Sequence, residues 1–151
     1  MERSGVLKIY KSTGAAQFSL IPCRRDDRGY VSKEGAVLVE VAKCTGKSAD
    51  GNIIADWGNK INFAINMADL CNLMDEANPK AGRLFHNFKG TSKSLEFQPG
   101  QGKYAGTFML QVASGSGGDR KQIAVPLTNG EYQMIMRLLI GVAAPKLLGW
   151  D

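Results

Sequence analysis

A succession of strands, a glycine-containing loop, one more strand, a helix cap and a helix occurs twice in this chain and limits its possible folds. In the first half, apolar and polar residues alternate in four predicted strands, at residues 6–10, 15–23, 36–43 and 60–65. A charged hairpin is predicted at 24–33 and a loop at 44–52. Asn66 is a good helix N-cap, with Asp69 three residues later, and Asn78-Pro79 is predicted to stop that helix.

The second half repeats this order of elements. Its predicted strands lie at residues 83–89, 94–98, 104–113 and 121–127. A glycine-rich loop at 114–119 joins the last two strands, and Thr128 and Glu131 form a capping-box pattern that opens a helix over about 131–144. We therefore predict an α+β fold built from a duplicated ββββα unit, with two antiparallel four-stranded sheets packed with two helices around one core.

The length of 151 residues suits one domain, which we expect to span residues 1–151. Hydrophobic residues make up 44% of the chain, enough for a core without disulfides or metal. There is no run of about 18 apolar residues, so we predict no membrane span. Residues 1–11 contain neither the apolar core of a signal peptide nor an Arg/Ser-rich transit segment. We expect an intracellular protein, of the cytoplasm or nucleoid in a prokaryote or virus, or of a mitochondrion or plastid where a presequence has been removed.

Few residues in the chain suggest an enzyme. The three cysteines are far apart and form no CxxC, so we expect reduced thiols and neither a disulfide framework nor a zinc site. His86 is the only histidine and lies in an apolar strand, where a structural role is expected. Gly46-Lys47-Ser48 is not a P-loop, because Val41 stands where the first glycine is required. The sequence thus predicts no catalytic residues, no metal and no cofactor.

Charge and aromatic residues point to a different function. The net charge is +5, which favours an anionic partner. The cations lie mainly on strands and loops among aromatic residues, and proteins that bind single-stranded nucleic acid combine a positive groove with aromatic faces on which bases stack. Trp57 is the best candidate for an exposed ring. The residues predicted to contact nucleic acid are Lys8, Tyr10, Lys11, Trp57, Lys60, Lys89, Lys93, Lys103, Tyr104, Arg120 and Lys121. Loop 114–119, beside the last two, either helps to hold a phosphate or is a plain connection.

The last predicted helix is apolar on almost every side, with Gln133 and Arg137 as its main polar residues. A helix that is apolar all round must be buried all round. Its own sheet covers one side, and either a second subunit or the first helix covers the other. We favour a homo-oligomer, and the residues predicted at its interface are Met136, Leu139, Ile140, Leu147 and Trp150.

Several short motifs, in order along the chain, resemble one known family. They are Asp56-Trp57 ahead of Phe63-Ala64, then Leu84-Phe85-His86, Lys93-Ser94-Leu95, the segment VPLT at 125–128 and the segment AAPKLLGWD at 143–151. Together these residues resemble the Whirly single-stranded DNA-binding proteins of plants, relatives of the kinetoplastid mitochondrial RNA-binding proteins and of the PC4-like coactivators.

The resemblance implies a fourfold tetramer with a core of C-terminal helices and DNA along the sheet edges between protomers. It implies sequence-tolerant binding of single-stranded DNA in repair, recombination or genome maintenance. The family motif Lys-Gly-Lys-Ala-Ala-Leu is represented here only by KSTGAA at 11–16, without the second lysine. Assembly of tetramers into larger particles, which the family associates with that lysine, is therefore not implied. Two alternatives stay open: an RNA-binding or annealing protein, and a structural oligomer whose charge is incidental.

Overall fold

A computed structural model describes residues 5–75 and 83–150 of the protein. Its first half contains the strands β1 (Leu7–Tyr10), β2 (Gly14–Ile21), β3 (Arg24–Arg25), β4 (Val31–Lys33), β5 (Ala36–Lys47), β6 (Ile53–Ala55) and β7 (Ile61–Ile65). Strands β1, β2, β5 and β7 neighbour one another in that order in an antiparallel sheet, called sheet 1 here. Strand β6 pairs with the C-terminal end of β5, and β3 and β4 form a separate two-stranded hairpin.

The second half forms another antiparallel sheet, sheet 2, in which four strands follow their order in the chain. They are β8 (Arg83–Phe88), β9 (Thr91–Pro99), β10 (Phe108–Ser116) and β11 (Asp119–Leu127). A four-stranded antiparallel order followed by a helix thus occurs twice, which confirms the predicted α+β fold with its duplicated unit.

Each sheet is followed by a capped helix, as predicted. Helix α1 (Met67–Met74) begins after Asn66, whose side chain accepts a hydrogen bond from the backbone N–H of Asp69 at 2.9 Å. Helix α2 (Asn129–Arg137) begins after Thr128 with the same reciprocal capping box. It continues through a π-helical segment, Leu138–Ala143, into α3 (Ala144–Leu147). The predicted stop of the first helix at Asn78-Pro79 lies outside the described residues.

One hydrophobic core joins both halves of the chain. On β5 and β7, the alternating residues Val37, Val39, Val41, Ile61, Phe63 and Ile65 are all buried. In sheet 2, Leu95, Leu110, Val112 and Val125 are fully buried and belong to the same cluster. Each such side chain contributes about 1.5–3 kcal/mol on burial. We call the core-facing side of each sheet its inner face and the opposite side its outer face.

The two sheets meet where β2 and β5 contact β11. Gly14 lies at this junction, and a Cβ atom there would stand 2.7 Å from the carbonyl oxygen of Ala124. Glycine is therefore needed at this position for close approach of two backbones. The junction holds the end of β5 close to β11, and the candidate site described below includes a groove between these two strands.

Several predicted boundaries were wrong for identifiable reasons. The loop predicted at 44–52 is largely strand, because β5 runs to Lys47 through a bulge between Cys44 and Gly46 that interrupts the alternation. The loop at 114–119 is also mostly strand, since only residues 117–118 leave the ladder. Tyr104 lies in a 3₁₀ turn, Gly102–Tyr104, and not on a strand. On α1, the apolar residues Cys71 and Met74 are exposed and lie outside the core.

Candidate nucleic-acid interface

Tyr10 and Trp57 form an aromatic pair at one end of sheet 1. Trp57 belongs to a 3₁₀ turn, Trp57–Asn59, that follows β6, and Tyr10 is the last residue of β1. Their ring centroids lie 6.3 Å apart with an interplanar angle of 87°, an edge-to-face contact. Trp57 is half-buried and not fully exposed as predicted, whereas Tyr10 is 41% exposed. The pair thus offers aromatic surface to solvent while being held in place by its own contact.

The cations beside this pair differ in whether an ion pair within the protein offsets their charge. Lys8 is exposed on the outer face of β1. Lys60 is exposed too, but its Nζ lies 2.5 Å from Oε2 of Glu40. The other carboxylate oxygen of Glu40 accepts a hydrogen bond from Nε2 of Gln17 at 3.1 Å. Lys60 therefore brings a charge that is partly offset within the protein.

Lys11 is an ion-pair partner within the protomer. Its Nζ lies 2.7 Å from Oε1 of Glu131, the acidic residue of the second capping box. Burial by itself would raise the pKa of Glu131, but the hydrogen bond from Lys11, the backbone N–H of Thr128 and the lysine charge together lower it. The sequence predicted Lys11 as a nucleic-acid contact. In the structure, its ion pair with Glu131 connects the β1–β2 turn to helix α2.

Lys93 corrects another expectation. It was predicted to contact nucleic acid, yet it is half-buried and its Nζ donates a hydrogen bond to the backbone carbonyl of Asn62 at 2.9 Å. Lys93 pairs across the sheet with His86 and Ser114, and Ser114 pairs with Lys121. Lys93 thus bridges the two sheets, whereas Lys121, in the same row, is exposed.

A groove lies between the ends of the two sheets. It is lined on the sheet 1 side by Lys43, Asp56 and Asn59 and on the sheet 2 side by Arg120 and Lys121. Trp57 stands between Asp56 and Asn59 in sequence, so the turn that carries it borders this inter-sheet groove. Of the predicted residues, the structure brings Arg120 and Lys121 together at the groove, and Tyr10 and Trp57 together in the aromatic pair.

The remaining predicted contacts are spread along sheet 2. Lys89 lies in the β8–β9 turn with its Nζ 5.3 Å from the centroid of Phe88. Lys103 stands over the exposed ring of Tyr104 at 5.1 Å, in the β9–β10 connection. Because β8, β9, β10 and β11 form consecutive hairpins, that connection is at the opposite end of the sheet from Lys89 and Arg120. Lys103 and Tyr104 are therefore not part of the inter-sheet groove.

Three residues that were not among the predicted nucleic-acid contacts are exposed on β8. Phe85 and Phe88 are 55% and 73% exposed, and the guanidinium of Arg83 lies 5.0 Å from the Phe85 centroid. The exposure of Arg83 and Phe85 could have been predicted from the alternation of β8, in which Leu84 and His86 face inward and Arg83 and Phe85 face outward. It was missed because Leu84-Phe85-His86 resembles a continuous apolar core strand.

His86 has the contacts of a structural residue, as predicted. Its Nε2 lies 2.8 Å from Oδ2 of Asp69, which is buried and completes the first capping box. Its ring stacks on Phe63 with centroids 4.2 Å apart. The contact fastens the start of α1 to sheet 2. Within residues 5–75 and 83–150, no cluster of three or more potential ligand side chains could hold a metal ion.

The C-terminal helix exposes different apolar residues from those predicted. Leu139 and Leu147, expected at an oligomer interface, are 2% and 0% exposed and fill the core of their own protomer. Met136 and Ile140 are half-buried against the same core, and Trp150 is exposed. The apolar residues that do face solvent lie four apart along the helix: Met134, Leu138 and Val142. None of the helices in the described part of the chain is long and apolar enough to cross a membrane.

Paired aromatic rings, a groove with cations from both sheets and open sheet faces define the class of a nucleic-acid-binding protein. The sequence profile of the family described as Whirly transcription factor matches residues 9–138. The chain therefore belongs to the Whirly family, a family of nucleic-acid-binding transcription regulators and not of enzymes, which confirms the resemblance found in its motifs.

Solved structures agree with this assignment at the level of the fold. WHY3 from Arabidopsis thaliana superposes with a TM-score of 0.80 at 20% identity, covering 99% of this chain and 92% of that one. WHY1 from Arabidopsis thaliana gives 0.77 at 20% identity, covering 97% and 92%. The plant transcriptional regulator PBF-2 gives 0.78 at 19% identity, covering 97% and 83%. No curated protein sequence gives a significant match.

Proposed function

We propose that this chain is a single nucleic-acid-binding domain that binds single-stranded DNA with little sequence preference, as a homotetramer, in DNA repair, recombination or genome maintenance. The observation that carries the proposal is the inter-sheet groove, which is lined by exposed Arg120 and Lys121 and bordered by the turn that carries Trp57, the partner of Tyr10 in the aromatic pair. Cations there would contact phosphates while the rings stack on bases. The protein would act in whichever compartment holds that DNA.

Single strands fit this site better than a duplex. A base can stack on Tyr10 or Trp57 only when it is unpaired and unstacked from its neighbours. Among the described residues, the groove is lined by parts of β5 and β11 and by the turn around Trp57, and not by an α-helix such as those that read a major groove. The contacts are rings and charges, which every nucleotide can satisfy, so tolerance of sequence follows.

The oligomer is supported by apolar surface along the C-terminal helix. Met134, Leu138 and Val142 are exposed on one side of it. Beside them, an open apolar groove is lined by Leu7 and Phe18 of sheet 1 and by Leu138 and Val142 of the helix. Contiguous apolar surface of this kind is typical of an interface. A second copy of the chain would cover these exposed apolar residues, as is expected for a helix that is apolar on almost every side.

Titration of labelled oligonucleotides by fluorescence anisotropy tests the binding proposal. Single-stranded DNA, the matching duplex and RNA of the same sequence are compared at low and high salt. We expect the single strand to bind more tightly than the duplex, and binding to weaken as salt rises. Tighter binding of RNA would favour an RNA-binding function, and binding of none of them would leave a structural oligomer.

Two exposed tyrosines provide a matched pair of variants. Tyr10→Leu removes a ring from the aromatic pair, and Tyr104→Leu removes one at the far end of sheet 2. Only the first is expected to weaken binding, by about 1–3 kcal/mol for each stacked base lost. Equal losses in both tyrosine variants would mean that the aromatic pair is not the site.

The mass of the oligomer is measured by light scattering during size-exclusion chromatography. It should be about four times the 16.3 kDa of the chain.

A further inference from the structure

The outer face of sheet 2 contains a trough with a floor of small residues. In the cross-strand rows, Phe85 pairs with Ser94, which pairs with Ala113, and Ser92 pairs with Gly115, which pairs with Arg120. The two central strands therefore carry only small side chains here, while the two edge strands carry large ones. The residues of the floor are Ser92, Ser94, Ala113 and Gly115.

The two walls differ in chemistry. On β8, the ring of Phe85 is more than half exposed, and the guanidinium of Arg83 lies 5.0 Å from its centroid. Arg83 thus contacts the ring of Phe85, and both residues line the trough. On β11, Arg120 is exposed and forms no ion pair with any residue in the described ranges. An aromatic face and a free cation therefore stand on opposite sides of a shallow floor.

We propose that this trough holds one unpaired base of single-stranded nucleic acid, stacked on Phe85, with an adjacent phosphate bound by Arg120. The inference rests on the proposed function and adds a second base site to it, on the sheet that does not carry Tyr10 and Trp57. A single strand that leaves the inter-sheet groove past Arg120, which lines both places, reaches the trough directly.

Charge and hydrogen-bonding groups fit that occupant. Arg120 brings a charge that no ion pair offsets among the described residues and that favours an anion, whereas Arg83 is paired with Glu96 at 3.7 Å and the Nζ of Lys93 is bound to the carbonyl of Asn62. The hydroxyl of Ser92 donates to Oδ1 of Asn87 at 2.7 Å and keeps its oxygen as an acceptor. Serine hydroxyls both donate and accept, and so they can meet the edge of any base. A bulky residue on the floor would leave no room for one.

Phe85→Leu and Phe88→Leu make a matched test. Both remove an exposed phenylalanine ring from β8 and keep an apolar side chain, but Phe88 lies on the other face of the strand, under Lys89. We expect Phe85→Leu to weaken binding of oligothymidylate about 5- to 100-fold, the loss of one stacked base. Phe88→Leu should change it by less than about twofold. Ser94→Leu, which fills the floor and keeps Phe85, should behave like Phe85→Leu, with thermal melting confirming that each variant is folded.

Photocrosslinking identifies the site directly. Oligothymidylate containing 4-thiothymidine is irradiated on the wild-type protein, and the crosslinked peptides are identified by mass spectrometry. A crosslink at Phe85 supports the proposal. Wild-type affinity for Phe85→Leu, with crosslinks only at Tyr10 or Trp57, overturns the trough and leaves the proposed function standing. Failure of the wild-type protein to bind any single strand overturns both.

Discussion

At the scale of single residues, a variant of Trp57 can measure stacking on a base separately from packing within the protein. The ring is half-buried against Tyr10, so it has a contact of its own beside any contact with DNA. We expect Trp57→Ala to weaken binding of a single strand by about 1–3 kcal/mol. The loss of the edge-to-face contact should lower the free energy of unfolding by about 0.5–1.5 kcal/mol.

Anisotropy titration and thermal melting of the same Trp57→Ala sample measure the two effects separately. Trp57→Phe is the control, because it keeps an aromatic face and should recover most of the affinity. An affinity unchanged in Trp57→Ala, together with a large drop in melting temperature, would assign the ring to packing alone.

Glu131 gives the stability of the protein a dependence on pH. Its pKa is lowered in the folded state from an ordinary value of 4.5, because Lys11 and the backbone of Thr128 stabilise the carboxylate against the opposing effect of burial. Its contribution is therefore complete above pH 4.5 and is lost as the pH falls through the lower folded pKa. Glu131→Gln should lower the melting temperature by about 2–4 °C at pH 7, for a contribution of about 1 kcal/mol.

The same comparison below the folded pKa should show almost no difference between Glu131→Gln and the wild type. Lys11→Met should reproduce the effect at pH 7, and combining the two substitutions should add little to either. A difference in melting temperature that stays constant with pH would show that the Glu131 carboxylate does not carry it.

The residues also show what a sequence can reveal about a site. Lys8, Tyr10 and Lys60 were predicted to contact nucleic acid, and all three are exposed. In Lys8 and Tyr10 this follows from the period of two along a strand, which turns them away from the buried Ile9 between them. The partners of Lys11 and Lys93 could not be predicted in this way. Glu131 is far from Lys11 along the chain, and the acceptor for Lys93 is a backbone carbonyl on another sheet. Such contacts depend on how the two halves pack.

At the scale of elements, strong local signals predicted the structure best. Both capping boxes and the inward faces of β5 and β7 are as expected, since each depends on residues a few positions apart. The extension of β5 beyond Lys43 was missed because the bulge at Cys44 shifts the register. The C-terminal helix was predicted as an element, but which of its apolar residues face the core was not, and that depends on tertiary packing.

The C-terminal helix now supplies a sharper test of the oligomer. Leu139 faces the core and Val142 faces solvent in the protomer. Leu139→Asp should unfold the chain, because an unpaired carboxylate in the core costs several kcal/mol. Val142→Asp should leave the fold intact and dissociate the oligomer, because it places the charge on the apolar surface between copies.

Light scattering during chromatography and far-UV circular dichroism distinguish these outcomes. A folded Val142→Asp protein at the mass of one chain, with weakened DNA binding, fits an interface on this side of the helix. A folded Val142→Asp protein at the wild-type mass would place the interface elsewhere or show that the protein has none.

At the scale of the whole molecule, the site depends on how the two sheets are joined. Each half of the sequence predicted its own sheet, but nothing in either half indicated that Gly14 would let β2 approach β11. That approach brings the end of β5 beside the start of β11 and creates the inter-sheet groove. The cations are spread through the sequence, but in the structure some of them line the groove and others lie far from it.

This division predicts which cations determine the salt dependence of binding. Lys43 and Lys121 line the groove, whereas Lys103 is at the opposite end of sheet 2. For a single strand, the slope of log affinity against log salt changes by about 0.7 for each phosphate contact. Lys43→Gln and Lys121→Gln should each make the slope shallower by about that amount, and Lys103→Gln should leave it unchanged. All three substitutions remove one positive charge, so a general effect of net charge would appear equally in each. Identical slopes in the three variants would mean that the strand follows the overall field of the protein and not the groove between the sheets.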